Sequence, residues 1–235
     1  MLLGKIKLKS EESFLLIEKT TQELSYAIGK MISESTKPVD SDLKIEGKIK
    51  EKILFIADKA LRQQALLSGA GFALYNEQRN TLWQLTWLYR PNPHRFSNKS
   101  CLNTSSQHSV GYQTFSWLST AKKTEKGYLY GPYVDYICHS TYTLTYLYPV
   151  YFNENLIGVA AADVAVGQLE HILRGSLANE RLPIVMTTPS GRIFFSNLAD
   201  YRVGELKPND VLTAHLQSQY FTLWIEESKY GAIPP

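Results

Sequence analysis

Apolar residues recur at Ile17, Leu24, Ile28 and Met31, the spacing of one face of a helix. Ser10, followed by Glu11 and Glu12, reads as the start of that helix, because a serine cap and early acids complement the free amide end. Lys37 and Pro38 close it. Asp40, Ser41 and Asp42 open a second helix whose Ile45, Ile49, Ile53, Ile56 and Ala60 share one stripe, with Lys48, Lys50 and Glu51 on its solvated face. At Gly69, Ala70 and Gly71 the period changes. Phe72 to Tyr75 and Leu82 to Tyr89 are short β-prone runs separated by polar turn residues, and residues 91–109, rich in Asn, Ser, Pro and His, predict a long loop. Long loops inside compact domains are often binding loops.

Further on, Thr141 to Phe152 and Leu156 to Val166 are two strand-like runs joined by Asn153, Glu154 and Asn155, a β-hairpin. A helix follows with Leu169, Ile172, Leu173 and Leu177 facing inward. Pro183 to Thr188, the turn at Pro189, Ser190 and Gly191, and Arg192 to Ser196 form a second hairpin, and Tyr220 to Ile225 supplies a last strand. Two helices followed by antiparallel strands with a crossing helix predict an α+β fold. The expected organisation is N-terminal helices over 1–66, a ligand-binding sheet domain over 67–180, and a small second β lobe or sheet extension over 181–235.

Composition narrows the functional classes. The 25 basic and 22 acidic residues of this 235-residue chain are interspersed, so the formal charge of +3 builds no basic stripe for nucleic acid. Two cysteines, Cys101 and Cys138, are too few for a disulfide framework and lack metal-ligand spacing, which suits free thiols in a reducing, cytoplasmic setting. The start of the chain has too short an apolar stretch for a signal peptide, and the longest later candidate for a span, Leu156 to Val166, is interrupted by Asp163. Fifteen tyrosines and four tryptophans, many between Trp83 and Phe152, suit either sheet cores or small-molecule cages.

Three features bear on that choice. The run Leu156 to Val166 is apolar on both strand faces, so Asp163 sits on a buried surface, where a carboxylate needs a partner. It is either a hydrogen-bonded aspartate capping a turn or the counter-ion of a bound cation. Tyr133 and Asp135, two apart after Gly131 and Pro132, share a side if the segment is extended, although a solvated aspartate at a strand end gives the same pattern. Trp117, between Phe115 and Leu118, is either core or the aromatic wall that completes a box for a cation.

Gly131 to Tyr136, the run Tyr142, Thr143, Leu144, Thr145 leading to Pro149 and Val150, and Ile157 to Val164 resemble the core of bacterial Cache domains, extended relatives of PAS domains that sense small molecules. The stretch Gly69 to Phe72, the Leu82 to Trp87 run and Tyr112 to Leu118 resemble a soluble branch of that family. The resemblance implies a PAS-like antiparallel sheet and a ligand-binding role. It places Tyr133, Asp135 and Asp163 around the ammonium group of an amino-acid ligand, and Trp117 at its carboxylate end. There the family's arginine is replaced by Phe115, which cannot donate a hydrogen bond, and the following aromatic by Leu118. A small cationic amine, such as a biogenic amine, polyamine or quaternary ammonium compound, is therefore expected ahead of an amino acid, with Tyr112, Phe115 and Thr145 as neighbours.

No dinucleotide fingerprint, phosphate loop or nucleophile elbow is present, so no cofactor is expected. The five histidines form no i, i+4 metal pair, and Cys138 beside His139 reads as a buried small residue rather than a nucleophile. The expectation is a non-enzymatic sensor that works with a separate regulator or signalling protein, and that pairs with a second copy through the stripe Ile17 to Met31 unless that stripe packs on its own domain. Two other classes stay open: an interaction scaffold with a vestigial pocket, and a hydrolase using Asp135 and Asp163 as paired carboxylates. An excised extracytoplasmic sensor is the alternative to a cytoplasmic one.

Overall fold

In the computed structural model, described here for residues 2–35, 43–75, 84–90, 99–101, 126–136, 138, 140–177, 182–208 and 212–226, the chain is α+β. Helix α1 runs over Leu2–Ser35 and α2 over Gly47–Gln63. A six-stranded antiparallel sheet follows, built from β1 (Gly69–Leu74), β2 (Gln84–Tyr89), β3 (Lys99–Cys101), β4 (Tyr128–Asp135), β5 (Thr141–Phe152) and β6 (Asn155–Ala165) in the order β3-β2-β1-β6-β5-β4. Helix α3 (Val166–Leu177) leads to a second, four-stranded sheet of β7 (Ile184–Thr187), β8 (Ile193–Ser196), β9 (Thr213–Gln217) and β10 (Thr222–Ile225), ordered β8-β7-β10-β9.

The two sheets share one helix. Phe14 of α1 stacks on Tyr220 at 5.5 Å and meets Phe194 edge-on at 5.7 Å, both in the second lobe. Eleven residues on, Ser25 donates a 2.6 Å hydrogen bond to the carbonyl of Pro149 in β5, and Gly29 lies so close to β5 that a Cβ there would sit 3.3 Å from the Tyr151 carbonyl. Between these contacts the Tyr220 hydroxyl donates to the Glu18 carboxylate. Ile17, Leu24, Ile28 and Met31 are all buried in this seam. The helical period was read correctly, but the stripe packs against the chain's own sheets and offers no surface to a second copy.

Five local expectations need correction. Helix α2 begins at Gly47, so Ile45 is buried ahead of the helix rather than on its stripe, and Asp40, Ser41 and Asp42 lie outside the described residues. Helix α1 begins a full two turns before Ser10, whose hydroxyl does not cap it but donates 2.7 Å back to the Ile6 carbonyl in the helix interior. Gly69, Ala70 and Gly71 lie inside β1 rather than before it. The long loop expected over 91–109 contains β3, and β9 was missed because its Thr213 to Leu216 carry no buried alternation to betray a strand. Cys138 is half-buried in a turn, not fully enclosed. Among the described residues no helix is long and apolar enough to cross a membrane.

The large sheet has two different faces. One packs under the helices, with Phe72, Leu144, Tyr146 and Val164 joining Ile28, Ile32, Ile53 and Leu61 in the main core. The other carries a separate cluster of Ala73, Trp87, Leu147, Val159 and Ala161, edged by Leu85, Tyr89, Tyr128, Tyr130 and Cys138.

Candidate functional site

Strand register puts the chemistry on that second face. Across the sheet, Tyr89, Gly69, Asp163, Thr145 and Tyr130 lie directly opposite one another in succession, and the next row holds Trp87, Gly71, Ala161, Leu147 and Tyr128. Asp163 therefore sits mid-sheet on a strand paired on both sides, with a glycine on one flank and a threonine on the other.

β4 joins this face through an irregularity. Tyr130 pairs with Thr145 but Tyr133 pairs with Thr143, so three steps on β4 span two on β5. The extra residue, at Gly131 and Pro132, switches the inward parity from even to odd positions. Tyr130 and Tyr133 then share one face, with ring centroids 5.6 Å apart, and Asp135 follows on the same side. Gly131 adopts φ +109°, which a side chain rarely tolerates, and a Cβ there would lie 2.8 Å from the Thr143 carbonyl.

Thr145 links the polar groups. Its hydroxyl donates a 2.5 Å hydrogen bond to Asp163 Oδ1, and because that uses its single proton, Tyr133 donates its own hydroxyl to Thr145 at 2.9 Å. Asp135 is buried and accepts the backbone N–H of Cys138 at 3.2 Å. Burial pushes the Asp163 carboxyl up to about 7; the Thr145 hydrogen bond opposes the shift and the Asp135 charge adds to it. Burial likewise raises the Tyr133 hydroxyl well above its ordinary value, with Asp163 next in effect. Such a carboxylate is costly alone and is stabilised by a cation brought to it.

The aromatic walls come from the strands. Trp87 leans over two glycines: a Cβ on Gly71 would lie 2.6 Å from its ring, and one on Gly69 would lie 2.8 Å from its Nε1 and 3.2 Å from Asp163 Oδ2. Sequence reasoning missed Trp87, Tyr89, Tyr128 and Tyr130, since an aromatic in a strand run reads as core. The available signal was the paired glycines of β1, which make room for a large neighbour. Of the expected site residues, Tyr133, Asp135, Thr145 and Asp163 are brought together; Tyr112, Phe115 and Trp117 lie outside the described residues. Among the described residues no three His, Cys, Asp or Glu side chains gather into a set that could hold a metal ion.

Residues 54–171 match the family described as methyl-accepting chemotaxis protein-like, first PDC sensor domain. The chain belongs to this family. The match spans the C-terminal part of α2, the large sheet and half of α3, and so contains every polar group of the face just described. Solved PDC-like structures repeat the architecture. The sensory domain of the Campylobacter jejuni chemoreceptor Tlp3 superposes with a TM-score of 0.60 at 15% identity, over 95% of this chain and 89% of that one. The ligand-binding domain of the Pseudomonas aeruginosa PAO1 amino acid chemoreceptor PctC, in complex with GABA, gives 0.53 at 14% identity over 96% and 98%. The extracellular domain of the putative histidine kinase soHK1S-Z6 gives 0.54 at 19% identity, and this chain spans 65% of that domain. Tlp3 is also known in complex with L-valine and with isoleucine bound. At these identities the likeness carries the fold. No protein of curated function matches the chain in sequence. The PDC sensor fold places the Asp163 face of the large sheet opposite the face that packs on the helices.

Proposed function

We propose that this PDC sensor binds a small molecule carrying an ammonium group, an amino acid in the first place, on the Asp163 face of its large sheet. The observation that carries the proposal is the buried Asp163 carboxylate, bonded to Thr145, with Tyr133 and Asp135 beside it and Trp87 above the neighbouring glycines. An ammonium group answers the two acids, and the rings exclude water and offer their faces to the cation. The amino-acid reading moves ahead of the simple amine expected from Phe115, because Tlp3 and PctC, which share the fold, are described with isoleucine, L-valine and GABA. The replacement of the carboxylate-binding arginine by Phe115 remains what supports the amine, so both classes belong in the test.

The role is sensing rather than catalysis: binding energy at Asp163 biases the sheet that α1 and α2 pack on, and a separate signalling partner reads the change. A thermal-shift screen of the purified chain against amino acids, amines, purines and carboxylates tests the reading. A ligand at a hundredfold its dissociation constant adds about 2.7 kcal/mol and raises Tm. Stabilisation by amino acids or amines alone supports the site; stabilisation by purines or plain carboxylates alone sinks the ligand class, and stabilisation by nothing favours a scaffold with a vestigial pocket. Turnover of a substrate that Asp135→Asn abolishes would instead make the pair catalytic.

A further inference from the structure

Trp87 carries a chemical group that the ammonium site does not use. Its ring is held in place by the absence of side chains beneath it, since a Cβ on Gly71 would meet the ring at 2.6 Å and the Thr86 carbonyl at 2.2 Å. The residue as a whole is buried, 5% exposed, yet its indole N–H has no hydrogen-bond acceptor among the described residues. Trp224, by contrast, donates its N–H to Thr187 at 2.9 Å. The ring is enclosed while its N–H stays open on the ligand face, and an indole N–H so placed fits an acceptor on the ligand.

The position of that N–H is specific. A point at the Cβ position of Gly69 lies 2.8 Å from Trp87 Nε1 and 3.2 Å from Asp163 Oδ2, so a donor and an anionic acceptor converge above the same glycine without bonding each other. A molecule seated there meets opposite demands a few ångströms apart: a cation for Asp163 and Asp135, and an oxygen acceptor for Trp87. An alkylamine answers the first only. An amino acid answers both, because its ammonium and carboxylate are separated by one to a few carbons.

Resting on the ammonium reading of the same face, we infer that Trp87 is the specificity-determining residue that takes a carboxylate oxygen of the ligand through its indole N–H. The charge of an arginine is not replaced, so the site discriminates amino acids from amines by one hydrogen bond to a charged acceptor.

The test uses matched pairs: L-valine against isobutylamine, and GABA against propylamine, each amine being the acid without its carboxylate. Calorimetric titration of wild type and Trp87→Phe is expected to show the variant weakening L-valine or GABA binding by about tenfold or more, the scale of one hydrogen bond to a charged group, and the matched amine by a clearly smaller factor, because the phenyl ring keeps an aromatic wall over the cation. A readout in the wild-type chain guards against a packing defect in the variant. Of the four indole N–H resonances the chain can show, the one missing from Trp87→Phe is expected to move downfield on adding L-valine or GABA and to stay put on adding the amines. Equal weakening of both members of a pair, or an unmoved resonance at saturation with the amino acid, overturns the role of Trp87 while leaving the ammonium site standing. Wild type that binds only the amines removes the amino-acid reading and this inference together, and wild type that binds none of the four removes the ammonium site itself.

Discussion

Thr145 and Asp163 face each other across β5 and β6, and the threonine hydroxyl donates to the carboxylate at 2.5 Å. Asp163 is thereby fixed in rotamer and partly solvated by the protein, while Tyr133 completes the chain by donating to Thr145. Thr145→Val keeps the shape and removes the donor. It is expected to push the Asp163 carboxyl further up and to cost about 1 to 3 kcal/mol of stability where that group is ionised, and less where it is protonated. Urea denaturation at pH 5 and pH 8 separates the two conditions; an equal loss at both would assign the effect to packing.

The raised Asp163 carboxyl fixes the sign of a pH effect. The native state holds its proton up to about pH 7 while an unfolded aspartate loses it near 3.8, so the folded state binds more protons across that window. Stability of the ligand-free chain from this group is therefore greatest at the acid end and falls as pH rises towards 7. Asp163→Asn is expected to flatten that slope. Ligand binding runs the other way: an ammonium needs the ionised carboxylate, so affinity rises roughly tenfold from pH 6 to pH 8, with a proton released on binding. Calorimetry in two buffers of different ionisation enthalpy reads the proton directly.

Arg90 holds the end of β2 to the end of α2. Its guanidinium is buried and donates to the carbonyls of Leu61 and, at 3.0 Å, Ala65, where the helix leaves acceptors without partners. Its backbone N–H bonds Ser68, whose own N–H bonds the Asp163 carbonyl at 2.8 Å. Arg90→Met is expected to cost about 2 to 4 kcal/mol through the abandoned carbonyls, and to weaken ligand binding as the Gly69 edge loosens. Equilibrium unfolding with titration of L-valine checks both; a stable variant with unchanged affinity would contradict the linkage.

The sequence yields what is local and loses what is paired at a distance. The β5–β6 hairpin, α3 and the burial of Asp163 were legible because Leu156 to Val166 is apolar on both faces and short turns fix its neighbour. The sharing of a face by Tyr133 and Asp135 followed from period two, although the irregularity at Gly131 that also recruits Tyr130 did not. Trp87 and Tyr89 were not legible as walls of the site, because that requires β1 to be inserted between β2 and β6, with Gly69 opposite both Tyr89 and Asp163. Periodicity showed that Ile17 to Met31 is one face, but not what covers it.

The central claim is that Asp163 is the counter-ion of an ammonium ligand, and calorimetric titration at pH 8 of wild type and Asp163→Asn with L-valine, GABA, isobutylamine and propylamine tests it most directly. The account predicts that at least one of these binds wild type and that the substitution weakens it by about tenfold or more, the loss of a charge-assisted contact, while far-ultraviolet dichroism of the variant is unchanged. A wild-type chain that binds one of them with an affinity the substitution leaves intact would contradict it.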